Sequence, residues 1–431
     1  MKKAGRLGVL AERRFRLLWT GRTTSALGDA LMPVTLVFAV LSCGGNATDI
    51  GLVLATTMVV RTLLLLVGGA LADRLPRRLL IGGSDLFLCL VQSVMGVVLL
   101  TGRSSVALLL AAAVCYGAAS AVSKPAVGGL VPQTVSPERL QEANGLMQLS
   151  RSAVQVAGPA LAGVAVAVAA PGWVYLFDAL TFLLSAATMA FLPLAWEPRS
   201  RRGSLFRDIA DGWKEMTART WYWAVLCGHA VWNVGSSAFY VLGPVVVSQQ
   251  SSGAAGWGLV SAGMSVGALL GAAIAMRYRP SRPLVTAHLG MLPTLLQLVA
   301  LAVSAPTVVI VGCAVLSSAG VMFLNTVWTS AVQRLVPEDV LSRVTSYDWV
   351  ISFTVAPLGF AAIGPVSEAV GTAGAIHLAM LCVVLGVGAV LLPAPIRRLR
   401  QTPAGALHGW PELDEEGQRP SNEQAAVSRA H

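Results

Sequence analysis

Long apolar runs separated by short polar segments follow one another along almost the whole chain. A helix that crosses a membrane needs about 20 mainly apolar residues. The runs have this length, and they predict about twelve membrane-spanning helices in two sets of six. The predicted helices cover 15–42, 50–72, 79–101, 106–124, 143–169, 173–194, 221–248, 257–276, 283–304, 307–335, 340–369 and 373–392.

A polar segment between the two sets of helices divides the chain into two six-helix bundles. Leu205, Ile209 and Trp213 recur there at helical spacing, which predicts a short amphipathic helix on the membrane surface. The fold class is therefore predicted to be an all-α membrane protein. The predicted parts are a cytoplasmic N-terminal segment (1–14), a first bundle (15–194), a cytoplasmic linker (195–220), a second bundle (221–392) and a disordered cytoplasmic tail (393–431) that is rich in proline and polar residues.

Composition and charge indicate lipid as the surrounding medium. The chain is 55% hydrophobic and 12% charged, whereas about a quarter of the residues of a soluble domain are charged. The formal charge of +10 comes from basic residues in every second predicted loop, and the intervening loops carry a single one, Arg103. This is the positive-inside pattern. It predicts both termini in the cytoplasm and argues against a nucleic-acid partner, and the wealth of Ala, Val, Gly and Arg favours a bacterial inner (plasma) membrane.

The loop after the second predicted helix carries a recognisable motif, Gly-Ala-Leu-Ala-Asp-Arg-Leu-Pro-Arg-Arg over 69–78. It resembles the signature of the major facilitator superfamily, with Pro76 in place of the usual glycine. The resemblance implies two bundles that rock about a central site, with Asp73 and Arg74 bonding to neighbouring groups to hold an inner gate shut in one state. A plain topology anchor is the alternative. The candidate gate residues are Gly69, Asp73, Arg74, Arg77 and Arg78.

The fifth predicted helix contains small residues and a proline. Gly145, Gly158, Pro159 and Gly163 resemble the Gly-Pro signature that antiporters of the superfamily carry on this helix. Proline removes a helix hydrogen bond and glycine permits close approach, so the motif predicts a bend against a neighbouring helix. The resemblance implies export, and ordinary close packing is the alternative.

Several further stretches resemble one branch of the superfamily, the macrolide-efflux and enterobactin-exporter-like group. They span most of the first half of the chain, whereas the second half matches mainly around 336–338 and Pro357. The stretches are Arg16-Leu-Leu-Trp19, Ser25-Ala-Leu-Gly28-Asp29, Glu142-Ala-Asn144, Gly158-Pro159-Ala-Leu-Ala-Gly163 and Asp178-Ala-Leu-Thr-Phe182.

Ionisable residues inside the predicted helices are the main functional candidates, because a charge at bilayer depth costs from about 3 to above 10 kcal/mol. Asp29 and Arg61 lie near the middles of the first two helices, and consecutive helices are usually neighbours. We expect the two side chains to face a central cavity and interact, with Asp29 as the proton-coupling carboxylate. A static structural pair is the alternative. Arg22 and Ser25 share a face with Asp29 and extend the polar path.

Other polar residues in the predicted spans are candidates of second rank. Arg151 and Asp348 lie about two turns from the cytoplasmic side, where snorkelling to the interface is the alternative to a cavity or gate role. Asn233 and Asn325 are candidates to bond a substrate, or only a neighbouring helix. Asp178 lies close to the outer end of the sixth helix, where we expect capping or interface exposure.

Enzymatic and metal chemistry find no support in the motifs. His229, His288 and His377 are isolated in the sequence, and the cysteines show no paired spacing, so no metal site is expected. No HExxH, GxSxG or GxxxxGK[ST] pattern occurs. We therefore assign no catalytic residues and favour neither a membrane-embedded enzyme nor an ATP-driven pump.

The leading hypothesis is a proton-coupled exporter of small lipophilic or amphipathic compounds, such as antibiotics or siderophore-like metabolites, that works by alternating access. An importer of a small nutrient is the alternative with the same fold, and an enzyme or receptor is the alternative of another class. The expected partners are a small-molecule substrate and the lipid bilayer, with the protein acting as a monomer. No cofactor is expected, because the proton gradient supplies the energy. The choice between H⁺ and Na⁺ stays open.

Overall fold

The computed structural model describes residues 8–128, 130–136, 139–193, 217, 220–250, 252–336, 338–402 and 407–408. Side chains are described throughout these ranges except at 66–70, 72–74, 124–125, 128, 220, 338–354 and 407. The predicted linker helix lies outside the described residues, as does the end of the predicted tail from 409 onwards.

The described chain is almost entirely helical, because the backbone of a chain in lipid must satisfy its hydrogen bonds internally. Ten described helical stretches are long and apolar enough to cross a membrane. A 3₁₀ turn, Gly8–Ala11, precedes them. The α-helices are α1 (Arg13–Ser42), α2 (Ala47–Arg74), α3 (Arg77–Leu100), α4 (Val106–Gly128), α5 (Val131–Thr134), α6 (Leu140–Ala190), α7 (Thr220–Ser248), α8 (Gly253–Arg277), α9 (Pro283–Leu289), α10 (Pro293–Ala302), α11 (Thr307–Leu335), α12 (Glu338–Leu391) and α13 (Ala394–Arg398).

Two of these helices, α6 and α12, each contain two membrane spans. Their backbone leaves the helical region at Ala170 (φ 64°) and at Gly371 (φ 77°). Both sides of the α6 break pack on the same part of α1. Before the break, Gly158 packs on α1, since a Cβ there would lie 2.5 Å from the Cβ of Ala30. After the break, Asp178 packs on α1, since a Cβ at Gly28 would lie 2.0 Å from Asp178 Oδ1. The halves of α6 therefore lie side by side and antiparallel. Twelve spans result, which confirms the predicted fold class.

The second bundle repeats this arrangement. A Cβ at Gly359 would lie 2.8 Å from Ser237 Oγ, and one at Gly235 would lie 2.5 Å from the carbonyl oxygen of Ala379. These contacts of α12 with α7 correspond to those of α6 with α1. The position equivalent to Asp178 in the first bundle is thus close to Ala379, so the acid has no counterpart in the repeat.

The buried apolar side chains show where the two bundles meet. We call the end with Arg77, Arg78 and Arg277 the basic end, and the other the opposite end. One apolar cluster towards the opposite end includes residues of both bundles, among them Val40 of α1 and Trp257 of α8. Two further clusters towards the basic end each belong to a single bundle. Among the described side chains, the bundles are therefore joined at the opposite end and separate towards the basic end.

Polar contacts also join the bundles at the opposite end. The Glu368 carboxylate of α12 accepts hydrogen bonds from Asn46 Nδ2 at 3.0 Å and from Thr48 Oγ1 at 2.7 Å. Asn46 also begins α2 through a capping box with Asp49, in which each side chain bonds the main-chain N–H of the other residue. The same turn thus starts a helix and binds the other bundle.

The predicted ninth helix differs from the prediction because it is interrupted between α9 and α10. Gly290 lies at the interruption, where it packs on α11: a Cβ there would lie 3.1 Å from the carbonyl oxygen of Gly320. Pro293, which lacks an N–H donor, begins α10. The apolar run alone carries no signal for this break.

The first part of the predicted disordered tail is ordered. Ile396 and Leu399 are buried in the apolar cluster of the second bundle. The main-chain N–H of Gln401 donates to the carbonyl of Ser281 at 2.9 Å, and β1 (Arg400–Gln401) pairs antiparallel with β2 (Leu407–His408). Two apolar side chains at helical spacing thus attach this segment to the bundle.

Candidate functional site

Asp29 lies in the middle of α1, where it is half-buried. Its Oδ1 accepts a hydrogen bond from the Tyr116 hydroxyl of α4 at 2.5 Å. The neighbouring Gly117 brings α4 close to α2, since a Cβ there would lie 3.3 Å from the backbone N of Arg61. Tyr116 therefore lies where α1, α2 and α4 meet, and the direct interaction of Asp29 with Arg61 stays a prediction.

A second acid, Asp85, lies in the same bundle on α3 and is 2% exposed. Arg22 Nη1 lies 3.4 Å from Asp85 Oδ2, and the Ser185 hydroxyl of α6 donates to the same oxygen at 2.7 Å. Sequence analysis selected Arg22 but missed this partner. Asp85 carried a usable signal, because it is an acid within a predicted span, as Asp29 is.

The third acid of the bundle is Asp178, which is fully buried on α6. Gln92 Nε2 of α3 donates to Asp178 Oδ2 at 2.6 Å, and the Thr181 hydroxyl donates to its main-chain carbonyl at 2.7 Å. The expectation of capping or interface exposure for Asp178 is therefore wrong. The physical reason is Gly28, whose lack of a side chain lets α1 cover the carboxyl group.

These three acids and their bonding partners, which we call the polar network, lie on the packed helices α1, α3 and α6. Gly28, the chain neighbour of Asp29, packs directly on the Asp178 carboxyl group. Ser25 is fully buried between the levels of Gly21 and Gly28, which pack on this part of α6, and its hydroxyl has no hydrogen-bond partner within the described chain. In the described ranges, no three acidic, histidine or cysteine side chains converge as a metal ion requires.

The Gly-Pro motif on α6 packs next to this network and on the other bundle. Gly158 packs on Ala30, the neighbour of Asp29. A Cβ at Gly163 would lie 2.8 Å from the Cα of Gly258 on α8, and one at Gly258 would lie 2.7 Å from the carbonyl oxygen of Pro159. A Cβ at the remaining motif residue, Gly145, would meet nothing within 4 Å.

The candidate gate motif is described only in part. Gly69, Asp73 and Arg74 lie outside the residues whose side chains are described. Arg77 is half-buried, and Arg78 Nη1 donates to the carbonyl of Leu192 at 3.0 Å. A cation suits this place, because the main-chain carbonyls at the C-terminal end of α6 carry partial negative charge.

The remaining candidates lie on other surfaces. Arg151 is exposed on α6, and in the second bundle Asn325 is exposed on α11 and Asn233 is half-buried on α7. Asp348 lies outside the residues whose side chains are described.

The expectation that the histidines are isolated is wrong for two of them. The rings of His229 on α7 and His288 on α9 stack with centroids 5.3 Å apart, and Trp328 packs edge-on against both. The sequence separates these residues widely, and only the packing of α7, α9 and α11 brings them together. His377 is exposed on α12.

We expect removal of the Asp85 carboxylate to destabilise the first bundle. Asp85→Ala leaves the Arg22 guanidinium without its buried partner, which costs roughly 3 kcal/mol of unfolding free energy. Chemical denaturation of the detergent-solubilised protein measures this loss. Glu12→Gln is the control, because Glu12 and Arg139 form a half-exposed pair at 3.9 Å, worth about 0–1 kcal/mol. Equal stability of the two variants would contradict the role of Asp85.

The sequence as a whole matches a known family. The family model described as "Transmembrane secretion effector", of the major facilitator superfamily, matches residues 4–417. The chain belongs to this family. The protein is therefore a multi-pass membrane transporter and not an enzyme.

Three relatives that match most of the chain are efflux proteins. Macrolide efflux protein A of Streptococcus pyogenes is 21% identical over 80% of the chain and 87% of its own length. The multidrug efflux pump Tap of Mycobacterium tuberculosis is 26% identical over 88% of the chain and 93% of its own length. The enterobactin exporter EntS of Shigella boydii is 24% identical, with 90% and 94% covered.

The fold of the protein is similar to that of solved transporter structures. A bacterial homologue of the iron transporter ferroportin in an inward-facing state has a TM-score of 0.67 at 19% identity, covering 88% of this chain and 98% of that one. The outward-facing structure of such a homologue gives 0.53.

Proposed function

We propose that this protein is a proton-coupled antiporter that exports small lipophilic or amphipathic compounds. It acts as a monomer in the bacterial inner (plasma) membrane, with its basic end and both termini in the cytoplasm. Alternating access of a central site between the bundles moves the substrate outward.

The proposal depends above all on Asp29. An ionisable group at this depth is costly and typically functional, and Asp29 is half-buried in the middle of α1 with a hydrogen bond from Tyr116. A half-buried carboxylate can exchange a proton with water between the bundles, whereas a fully buried one cannot do so directly. Asp29 is therefore the group through which the proton enters or leaves the network.

The contacts between the bundles support alternating access. Among described residues, the joined side lies at the opposite end, where Gly163 meets Gly258 and Glu368 binds Asn46 and Thr48. We assign this arrangement to a state that opens towards the basic, cytoplasmic end. Opening of the opposite end requires these contacts to separate.

The relatives and the composition support the proposed direction of transport and substrate class. Relatives that match along most of the chain are efflux proteins for macrolides, multiple drugs and enterobactin. A chain with 12% charged residues supplies few charges for recognising sugars or phosphates. Antibiotics and siderophore-like metabolites need fewer charged contacts, so they suit such a chain better.

A susceptibility panel in an efflux-deficient bacterial host tests the proposal. We expect expression of the protein to raise the minimal inhibitory concentration of at least one lipophilic antibiotic or siderophore several-fold. A protonophore should abolish this protection, because it removes the proton gradient. The empty vector is the control.

The outcome can contradict the proposal in two ways. Protection that persists in the presence of the protonophore would exclude coupling to protons. Greater uptake of the same compounds by the expressing cells would indicate import.

A further inference from the structure

We infer that Asp178 is a second proton carrier, and that its carboxyl group holds the transported proton in the conformation described. Its place in the transport cycle rests on the proposed proton coupling, but its protonation can be measured without any substrate. The inference derives from the charges and hydrogen bonds of the first bundle.

Charge balance in the network leaves one positive charge missing. Three carboxylates, Asp29, Asp85 and Asp178, would carry three negative charges against two positive charges, Arg22 beside Asp85 and Arg61 on α2 where it packs on α4. An uncompensated charge in a bundle surrounded by lipid is costly. One bound proton makes the network neutral. The titratable and charged groups on the helices around Asp178 are Arg22 and Asp29 on α1, Arg61 on α2, Asp85 on α3, Tyr116 on α4 and Tyr175 on α6.

The local hydrogen bonds indicate which acid holds the proton. Asp85 has a guanidinium at 3.4 Å, from Arg22. Asp29 is half-buried and accepts from Tyr116. Asp178, in contrast, is fully buried. Its carboxyl group accepts hydrogen bonds from the neutral amide of Gln92 at 2.6 Å and from the Thr181 hydroxyl at 3.3 Å.

Two unpartnered hydroxyls beside Asp178 support a protonated carboxyl group. Ser25 is 0% exposed and Tyr175 is 1% exposed, and neither hydroxyl has a partner among the described residues. Tyr175 precedes Asp178 by one helical turn, and Ser25 faces the same half of α6 from α1. A protonated carboxyl group can donate to the oxygen of a neighbouring hydroxyl, which a carboxylate cannot do.

Asp178 and Asp29 transfer the proton in two successive steps. In the state open to the basic end, the O–H bond of Asp178 breaks and its proton passes to the Asp29 carboxylate. Asp29 then releases this proton to water, and Asp178 becomes a carboxylate until a proton enters from the other side. One proton enters and one leaves in each cycle.

Infrared spectroscopy of the full-length protein in lipid bilayers tests the inference. In Na⁺-free buffer at neutral pH, we expect a C=O stretching band of a protonated carboxyl group that Asp178→Asn removes. Glu142→Gln, which changes an exposed acid of the same helix, should keep the band. A band that persists in Asp178→Asn would overturn the inference, as would a wild-type band that disappears when Na⁺ is added.

A second variant keeps the test decisive if Asp178→Asn does not fold. Gln92→Leu removes the amide that donates to Asp178, so the band should move to higher frequency without disappearing. An unchanged band would contradict the assignment to Asp178. If the band behaves as expected while Asp29→Asn still drives proton-coupled efflux, the proposed role of Asp29 fails and the protonation of Asp178 stands.

Discussion

Cells that express Asp29→Asn should become as sensitive to the exported compounds as cells with an empty vector. Asparagine keeps the size of the side chain and can still accept the Tyr116 hydrogen bond, so the helices should pack as before. It cannot bind and release a proton, and the gradient then no longer drives export. Minimal inhibitory concentrations, together with the amount of protein in the membrane, measure this effect.

The control for Asp29→Asn is Asp49, an acid at the beginning of α2. It lies in the capping box of α2, outside the polar network, and asparagine can take over part of its capping role. Asp49→Asn should therefore keep most of the resistance. Full resistance in Asp29→Asn at normal expression would show that another group couples transport to protons.

Gly163→Leu should also abolish export, by a different mechanism. A Cβ there would lie 2.8 Å from the Cα of Gly258 and 2.8 Å from the carbonyl oxygen of Ala254, and backbone atoms cannot move aside as a side chain does. Overpacking costs about 1–3 kcal/mol. Because about 1.4 kcal/mol changes an equilibrium constant tenfold, the equilibrium constant for the conformation joined at the opposite end falls roughly 5- to 150-fold.

Spin labels across this contact measure the change in conformation. We would place them at Val168 and Leu259, which are exposed on α6 and α8, after replacing the native cysteines. Gly163→Leu should lengthen the distance between the labels and stop export. Gly145→Leu is the matched control on the same helix, because a Cβ at Gly145 meets nothing within 4 Å. Equal effects of both variants would contradict the role of the α6–α8 contact.

The membrane spans could be predicted from sequence because their signal is local. Each apolar run is long enough to cross the bilayer, and the predicted ranges agree with the helices to within a few residues. The break at Gly290 could not be predicted in the same way, because it depends on the close approach of Gly320 from a distant helix. Contacts between distant segments do not change the hydropathy pattern of either segment.

The partner of Asp29 shows a second limit of sequence reasoning. The interaction of Asp29 with Arg61 stays a prediction, and it rests on the rule that consecutive helices are usually neighbours. In the structure α1 packs mainly on α6, and α2 packs mainly on α4 and α12. The described hydrogen bond to Asp29 therefore comes from Tyr116 of α4.

The rest of the network divides into residues with and without a sequence signal. Asp85 could have been found, since it is an acid inside a predicted span. Gln92 and Tyr116 could not, because neutral polar side chains are common in spans and only their contacts give them a role. The sequence motifs containing Gly28 and Asp178 were recognised separately, and the structure shows that they pack on one another.

Proton movement in proteoliposomes tests the central claim most directly. Vesicles containing the purified protein and a pH-sensitive dye would be loaded with the compound that gives the largest resistance, then diluted into buffer without it. Exit of the compound should acidify the lumen for the wild-type protein and leave the pH unchanged for Asp29→Asn. Exit from wild-type vesicles without acidification, or with alkalinisation, would contradict proton-coupled antiport.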